Sequence, residues 1–265
     1  MTPDHLNALK GLAFSVGFLL FLCGELLRPY RLPTVSKTSR LLINLSLAAL
    51  NAALLHFLFT AATVAAALYV TETHTGLLSR SLPLPAWLRL LLLIVMMDFF
   101  IYIWHNLNHI LPLLWRFHRV HHSDINMDVS TALRFHCGEL AAAAVIKLGL
   151  VYSLGVDIVS LYLFDSIFFF ASQLNHSSIK LPVWLERTLW LLFVPPSMHR
   201  IHHSIKIGER NSNYGTILSL WDRIFGTLLR DIDQQGIVIG MGTYREEAQL
   251  KLHHLLWMPF TRTVK

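Results

Sequence analysis

Charged side chains are scarce in this chain, where they make up 14% of 265 residues. An average soluble domain has about 25%. The hydrophobic fraction is 54% and the mean hydropathy is +0.50. This composition excludes a disordered chain, a coiled coil and a nucleic-acid-binding arm, all of which are rich in charge. Because so few charges cannot cover the surface of a water-soluble domain, we expect a membrane protein with no nucleic-acid partner.

Cysteine is also scarce. Cys23 and Cys137 are too few for a disulfide framework, and we expect both to be reduced thiols. Histidine, in contrast, is abundant, with 15 residues against 16 acidic ones. The net charge of +6 is typical of a membrane protein with basic cytoplasmic loops.

Long apolar runs predict an all-α, multi-pass membrane bundle of about four to five segments. The runs cover residues 11–27, 41–70, 87–104, 140–156 and 158–174. The second run exceeds the ~20 residues that span a bilayer, so a tilted helix and a span with a broken end both remain possible. The last two flank Gly155 and Asp157, and form either a complete hairpin or a shallow re-entrant one.

Loop charge predicts the orientation of the bundle. Residues 28–40 hold four Lys or Arg side chains, whereas residues 71–86 hold only Arg80. Since basic loops remain in the cytoplasm, the first loop is expected there and the second outside. The third helix then returns to the cytoplasm near residue 105. Residues from 175 onward, with eleven Lys or Arg against seven acids, are expected on that same side.

This topology brings nine of the histidines to the cytoplasmic ends of the helices. They are His105, His109, His118, His121, His122, His176, His199, His202 and His203. Most fall at i, i+3 and i+4 spacings, which place side chains on one helix face. Nine imidazoles exceed the four ligands of a tetrahedral zinc ion, so they suit two metal ions. Imidazole binds Zn, Cu, Fe and Ni, so the ligand type does not name the metal.

Two acids inside the membrane runs need a partner, because a buried charge there is costly. Asp98 precedes His105 by seven residues and Asp165 precedes His176 by eleven, both close to whole helical turns. We therefore predict that each carboxylate orients the histidine on its face. A helix–helix hydrogen bond without contact to a ligand is the alternative.

The ordered histidine clusters resemble the fatty acid hydroxylase / sterol desaturase superfamily, whose members are integral-membrane, non-haem di-iron enzymes. The flanking residues match as well over roughly residues 90–230. The matching segments are Trp115-Arg116-Phe117, Arg134-x-His136-x2-Glu139, Asn175-His176-Ser177, Pro195-Pro196-Ser197-Met198, Asn213-Tyr214-Gly215 and Trp221-Asp222-Arg223-Ile224-Phe225-Gly226-Thr227.

The resemblance implies that the nine histidines hold two iron ions, with O2 as co-substrate, and that the enzyme hydroxylates an unactivated C–H bond of a lipid. It places His136, Glu139, Asn213 and Asp222 around the ligands, where the helix spacing places Asp98 and Asp165 as well. It also implies a separate electron donor, such as a cytochrome b5-like protein, a ferredoxin or a reductase, since no fused cytochrome b5 is expected.

Other functions remain open at this stage. A desaturase would use the same iron pair, and a divalent-metal transporter would also carry membrane histidines. A zinc protease is disfavoured because His105 and His109 enclose no glutamate. We expect membrane anchor helices in residues 1–86, a catalytic region in 87–230 and a cytoplasmic tail in 231–265. Residues 184–194 predict a short interfacial helix.

Overall fold

The computed structural model describes residues 3–79 and 82–262, and the regular elements there are all helices. They are α1 (Pro3–Leu27), α2 (Lys37–Leu55), α3 (Ala61–Thr73), α4 (Ala86–Ile110), α5 (Pro112–His122), α6 (Cys137–Leu154), α7 (Ile158–His176), α8 (Val183–Leu192), α9 (Pro196–His202), α10 (Ile207–Arg210), α11 (Leu220–Ile224) and α12 (Leu252–Trp257). Short 3₁₀ turns cover Val129–Leu133, Glu247–Leu250 and Met258–Phe260. The all-α prediction is confirmed.

Five of these helices, α1, α2, α4, α6 and α7, are long and apolar enough to cross a membrane. The chain is therefore an integral, multi-pass membrane protein, as its hydropathy predicts. Arg80, on which part of the orientation prediction depends, lies outside the described residues. The side of the membrane that carries the histidines stays a prediction.

The long charge-free run forms a single stretch of helical backbone from α2 to α3. A π-helical segment, His56–Thr60, joins the two helices without leaving the helical region. The wider turn disturbs the regular hydrogen-bond ladder, and the Thr63 hydroxyl donates to the Phe59 carbonyl at 2.9 Å. The run is therefore a continuous helix with a local widening.

The turn between α6 and α7 has the residues that a tight hairpin needs. Gly155 adopts φ +79, and a Cβ there would lie 2.6 Å from the Thr75 carbonyl oxygen. Asp157 then caps α7, because its carboxylate accepts from the backbone amides of Val159 and Ser160. Since both helices are long enough to span, the structure favours a complete hairpin.

A buried polar network connects α2 to the loop that follows α5. The Arg40 guanidinium donates to both carboxylate oxygens of Asp124 at 2.7 Å, and to Asp128 at 2.9 Å. Arg134 is buried beside them and donates to the Val120 carbonyl and the Asn44 side chain. The network fixes the loop, and with it the C-terminal end of α5, where three of the histidines lie.

The C-terminal residues pack against the bundle. Leu250, Leu255 and Met258 form an apolar cluster with Leu47 of α2 and Val120 of α5. This cluster holds the C-terminal segment against α2 and α5. The short helix α8 exposes an apolar surface at Val183, Trp184 and Leu191, the pattern of a helix that lies on a membrane.

Candidate metal centre

The nine histidines come from the polar ends of four helices. The last turns of α4 carry His105 and His109, and α7 ends at His176. Proline starts α5 and α9 at Pro112 and Pro196, where its missing amide proton is not needed by the helix. These two short helices place the other six histidines beside the ends of α4 and α7. All nine therefore gather in one place.

Five of the histidines form a first group, called here the five-histidine group. It contains His105, His109, His118, His122 and His202, whose ligand nitrogens all lie within 4.8 Å of one another. The Nε2 atoms of His118 and His122 lie 3.2 Å apart. The Nε2 atoms of His105, His109 and His202 are buried and have no hydrogen-bond partner.

The other four histidines, His121, His176, His199 and His203, form the four-histidine group. Their Nε2 atoms follow one another closely. His176 lies 3.1 Å from His121 and 3.0 Å from His199, and His199 lies 3.2 Å from His203. The His122 and His203 rings stack with centroids 4.5 Å apart, so the two groups are neighbours.

The grouping divides the sequence motifs. His121 and His122 are consecutive, yet they belong to different groups, and so do His202 and His203. Consecutive side chains point about 100° apart on a helix, so each pair places one ring in each group. The nine histidines thus form two separate sets of ligand atoms, the arrangement that two metal ions require.

The chemistry of the donors fits metal ions. Two nitrogens bound at about 2.1 Å to one ion lie about 3.0–3.4 Å apart. His118 and His122 have this spacing in the five-histidine group, and three neighbouring pairs have it in the four-histidine group. Burial, followed by the neighbouring imidazoles, holds the pKa values of His121, His122, His199, His202 and His203 well below the ordinary value. Neutral imidazole is the form that binds a metal.

Backbone carbonyls fix the tautomer of three of the rings. The Nδ1 atoms of His105, His202 and His176 lie 2.7–2.8 Å from the carbonyl oxygens of Tyr214, Ser212 and Ser172 respectively. Because a carbonyl oxygen only accepts, each Nδ1 carries the proton and each Nε2 keeps its lone pair. The lone pairs of these rings therefore point into the two groups. Sequence reasoning does not find these carbonyls, since a main-chain oxygen has no signature in the sequence.

Glu139 orients a fourth ring. Its Oε1 atom accepts from Nδ1 of His118 at 2.8 Å, and both side chains are buried. The pair is a carboxylate–histidine contact of the kind that raises the basicity of a metal ligand. The structure therefore places Glu139 beside His118, a candidate ligand.

The prediction that Asp98 and Asp165 orient histidines is wrong. Asp98 accepts from the backbone amides of Ile217 and Leu218 at 3.2 Å and from the Trp221 indole at 2.8 Å. Asp165 accepts from Lys147 and has Lys10 at 3.9 Å, on α6 and α1. Whole-turn spacing aligns an acid with a histidine on one helix, but it does not say which neighbouring element supplies the partner.

Asn213 and Asp222 act on the histidines indirectly, through the loop between them. Asp222 accepts from the backbone amides of Tyr214 and Gly215 at 2.8 Å. Asn213 adopts φ +55 and bonds to both the carbonyl and the amide of Leu229. Together they hold the Tyr214 carbonyl in its place against His105.

His136 lies outside both groups. Its Nδ1 atom accepts from the Gly138 amide at 3.0 Å, which caps α6, and Nε2 lies 3.2 Å from the Leu256 carbonyl oxygen. His253 and His254 are exposed, and their rings contact each other with centroids 4.1 Å apart. Within the described part of the chain, His136 has a helix-capping contact and no contact with a ligand ring.

Comparison with known proteins gives a consistent result. The family model described as Fatty acid hydroxylase matches residues 90–227, just over half of the chain. The ornithine lipid hydroxylase OlsE of Rhizobium tropici is 32% identical over 145 residues, 54% of this chain and 42% of that protein. Alkylglycerol monooxygenase of Homo sapiens is 27% identical over 63% of this chain and 37% of its own length.

Cholesterol 25-hydroxylase of Homo sapiens is 29% identical over 52% of this chain and 49% of that protein. The matched region therefore spans less than half of each of these three relatives. No solved structure gives a significant match. The segment matched by the family model, residues 90–227, contains all nine histidines of the two groups.

Proposed function

Because the chain belongs to the fatty acid hydroxylase family, we propose that it is a membrane-bound, di-iron, O2-dependent oxidoreductase that hydroxylates an unactivated C–H bond of a lipid. The observation that carries this proposal is the division of nine histidines into two adjacent groups with inward-facing Nε2 atoms. Two iron ions held there would supply the oxidising chemistry, which amino-acid side chains lack.

The chain's own residues prepare the site for those ions. The five-histidine group would hold one ion and the four-histidine group the other. Glu139 and the carbonyls of Ser172, Ser212 and Tyr214 fix the ring tautomers. Eight of the nine histidines are buried and His109 is half-buried, so the protein excludes bulk water from the reacting centre. The Trp115 ring covers His109 and His122 at 5.1 and 5.5 Å.

The names of the relatives favour a lipid substrate and hydroxylation over desaturation. They name ornithine lipid, alkylglycerol and cholesterol, which share a large apolar part. Such a substrate would reach the centre from the bilayer, where the five spanning helices lie. We also propose residues 87–230 as the catalytic region, 1–86 as membrane anchor helices and 231–265 as a cytoplasmic tail.

The orientation and the electron donor belong to the proposal as well. The described loop 28–36 and the histidine-bearing ends of α4 and α7 lie at the same end of the bundle, since Tyr30 and Lys180 bond to the backbone of Ser178 and Arg28. The cations of that loop support a cytoplasmic location. A cytoplasmic cytochrome b5-like protein, ferredoxin or reductase would then deliver the electrons.

Product analysis under ¹⁸O2 tests the reaction. The membrane fraction is supplied with ornithine lipid, alkylglycerol and sterol, and products are identified by mass spectrometry. An alcohol that retains one labelled atom is expected, and a new double bond without label would show a desaturase instead. Active wild-type protein with fewer than about one iron per chain would contradict the di-iron site.

A further inference from the structure

A cleft of about 510 Å³ opens at the polar end of α1, beside the metal centre and outside it. One wall is formed by the end of α1 and the start of α2, at Glu25, Leu26 and Lys37. The opposite wall is the segment 237–239. The next residue, Gly240, donates its amide to the carbonyl of His203 at 3.0 Å, so this wall lies beside the four-histidine group.

The cleft collects more positive charge than its acids neutralise. Its two carboxylates are already paired, Glu25 with Lys37 and Asp128 with Arg40. Arg31, Arg200 and Arg245 remain, and within residues 3–79 and 82–262 none of the three forms a salt bridge. They donate instead to uncharged oxygens: Arg31 to the Ile237 carbonyl, Arg200 to the Gln234 side chain and Arg245 to the Ile239 carbonyl.

Arg200 shows the imbalance most clearly. Its side chain is only 4% exposed, stacks on the Tyr30 ring at 3.7 Å and donates from Nη1 to the Gln234 side chain. Within the described residues no carboxylate lies within salt-bridge distance of this buried guanidinium, so a bound anion would stabilise it.

The apolar part of the cleft indicates what kind of anion fits. Leu26 and Leu32 line the cleft and are 64% and 81% exposed. Leu19 and Leu20 continue the exposed apolar surface along α1 towards the membrane interior. The cleft thus lies where a membrane helix ends, the level at which lipid headgroups are found.

We propose that this cleft binds the phosphate of an anionic lipid, with Arg31, Arg200 and Arg245 around the headgroup and the acyl chains along the exposed face of α1. None of the cleft residues belongs to either histidine group, so lipid binding can be measured separately from the metal chemistry. Its test therefore needs no measurement of activity.

Native mass spectrometry of the full detergent-solubilised chain measures the binding directly. Short-chain phosphatidylglycerol is titrated against phosphatidylcholine, and glycerol 3-phosphate serves as the soluble phosphate. Wild type is expected to bind phosphatidylglycerol saturably and in preference to phosphatidylcholine. The double variant R31Q/R245Q is expected to bind it at least about tenfold more weakly, since two charge-assisted contacts are lost.

A second variant leaves the arginines in place. Val238 lines the cleft and is 45% exposed, so V238E adds a repelling carboxylate without disturbing a packed core, and it should also weaken binding about tenfold. The matched control K180Q/R187Q removes two exposed cations outside the cleft and should bind as wild type. Unchanged binding in both cleft variants would overturn the proposal, and so would glycerol 3-phosphate binding as tightly as the lipid.

Discussion

The Nε2 atoms of His121 and His176 lie 3.1 Å apart, although 55 residues separate them in the chain. The Ser172 carbonyl holds the proton of His176 on Nδ1, so the lone pair of its Nε2 atom faces His121 and His199. Three imidazole nitrogens that converge in this way are suited to bind one shared metal ion. The pair therefore connects α5 and α7 at a candidate metal site.

Removal of this central ring should empty the four-histidine group. In H176A we expect iron to fall from about two ions per chain to about one or fewer, with loss of hydroxylation. Elemental analysis of purified protein, together with activity, measures both. H253A is the matched control, because His253 is exposed and outside both groups. Equal iron in H176A and wild type would contradict the assignment.

The charge of Glu139 should strengthen metal binding at His118. E139Q keeps the shape of the side chain but removes the carboxylate that accepts from Nδ1. Metal affinity should fall about 10–100-fold, as for other partners of metal-bound histidine. Competition with a chelator measures the affinity, and E72Q, which changes an exposed glutamate, should behave as wild type. An unaltered affinity would show that the contact is only structural.

Asp98 should stabilise the loop formed by residues 214–222. In D98N an amide group would face donors from Ile217, Leu218 and Trp221, so the buried network loses acceptors. We expect the free energy of unfolding to fall by about 1–3 kcal/mol. Thermal unfolding followed by tryptophan fluorescence reports it. D231N, at an exposed position, should leave the unfolding midpoint unchanged. A D98N midpoint equal to that of wild type would show that Asp98 does not stabilise the loop.

Breaking the buried ion pair of Arg40 and Asp124 should be more damaging. D124N leaves the Arg40 guanidinium partly uncompensated, and such a change costs about 3–5 kcal/mol. R40Q should produce a comparable loss, and the double variant should lose less than the sum of both. The unfolding midpoints of the three variants complete the cycle. Additive losses would mean that the two residues act independently.

The hairpin turn offers a comparison between two glycines of one region. G155A should destabilise the protein by at least about 1–2 kcal/mol, because Gly155 adopts φ +79 and a Cβ would meet the Thr75 carbonyl. G149A is the control, since nothing lies within 4 Å of a Cβ at Gly149 inside α6. If G155A unfolds at the same temperature as G149A, the left-handed turn is not required.

The sequence by itself determined the membrane helices and the nine candidate ligands, because both depend on local properties. Length and apolarity specify a span wherever the helix lies, and the i, i+4 spacing places two rings on one face without reference to any neighbour. The turn at Gly155 and Asp157 can likewise be recognised from the neighbouring residues alone. The sequence left open whether the long run is one helix or has a broken end, since a uniformly apolar run carries no signal for the π-helical segment that joins α2 and α3.

Only the tertiary structure decided how the ligands divide and what orients them. His121 and His122 point about 100° apart on α5, but the group that each joins depends on the histidines that α4, α7 and α9 place beside it, and no spacing within α5 contains that information. Asp98 was assigned to His105 from helix geometry, yet it binds the loop at Ile217, which is distant in sequence. Orienting partners of this kind are set by long-range packing, where a main-chain carbonyl serves as well as a carboxylate.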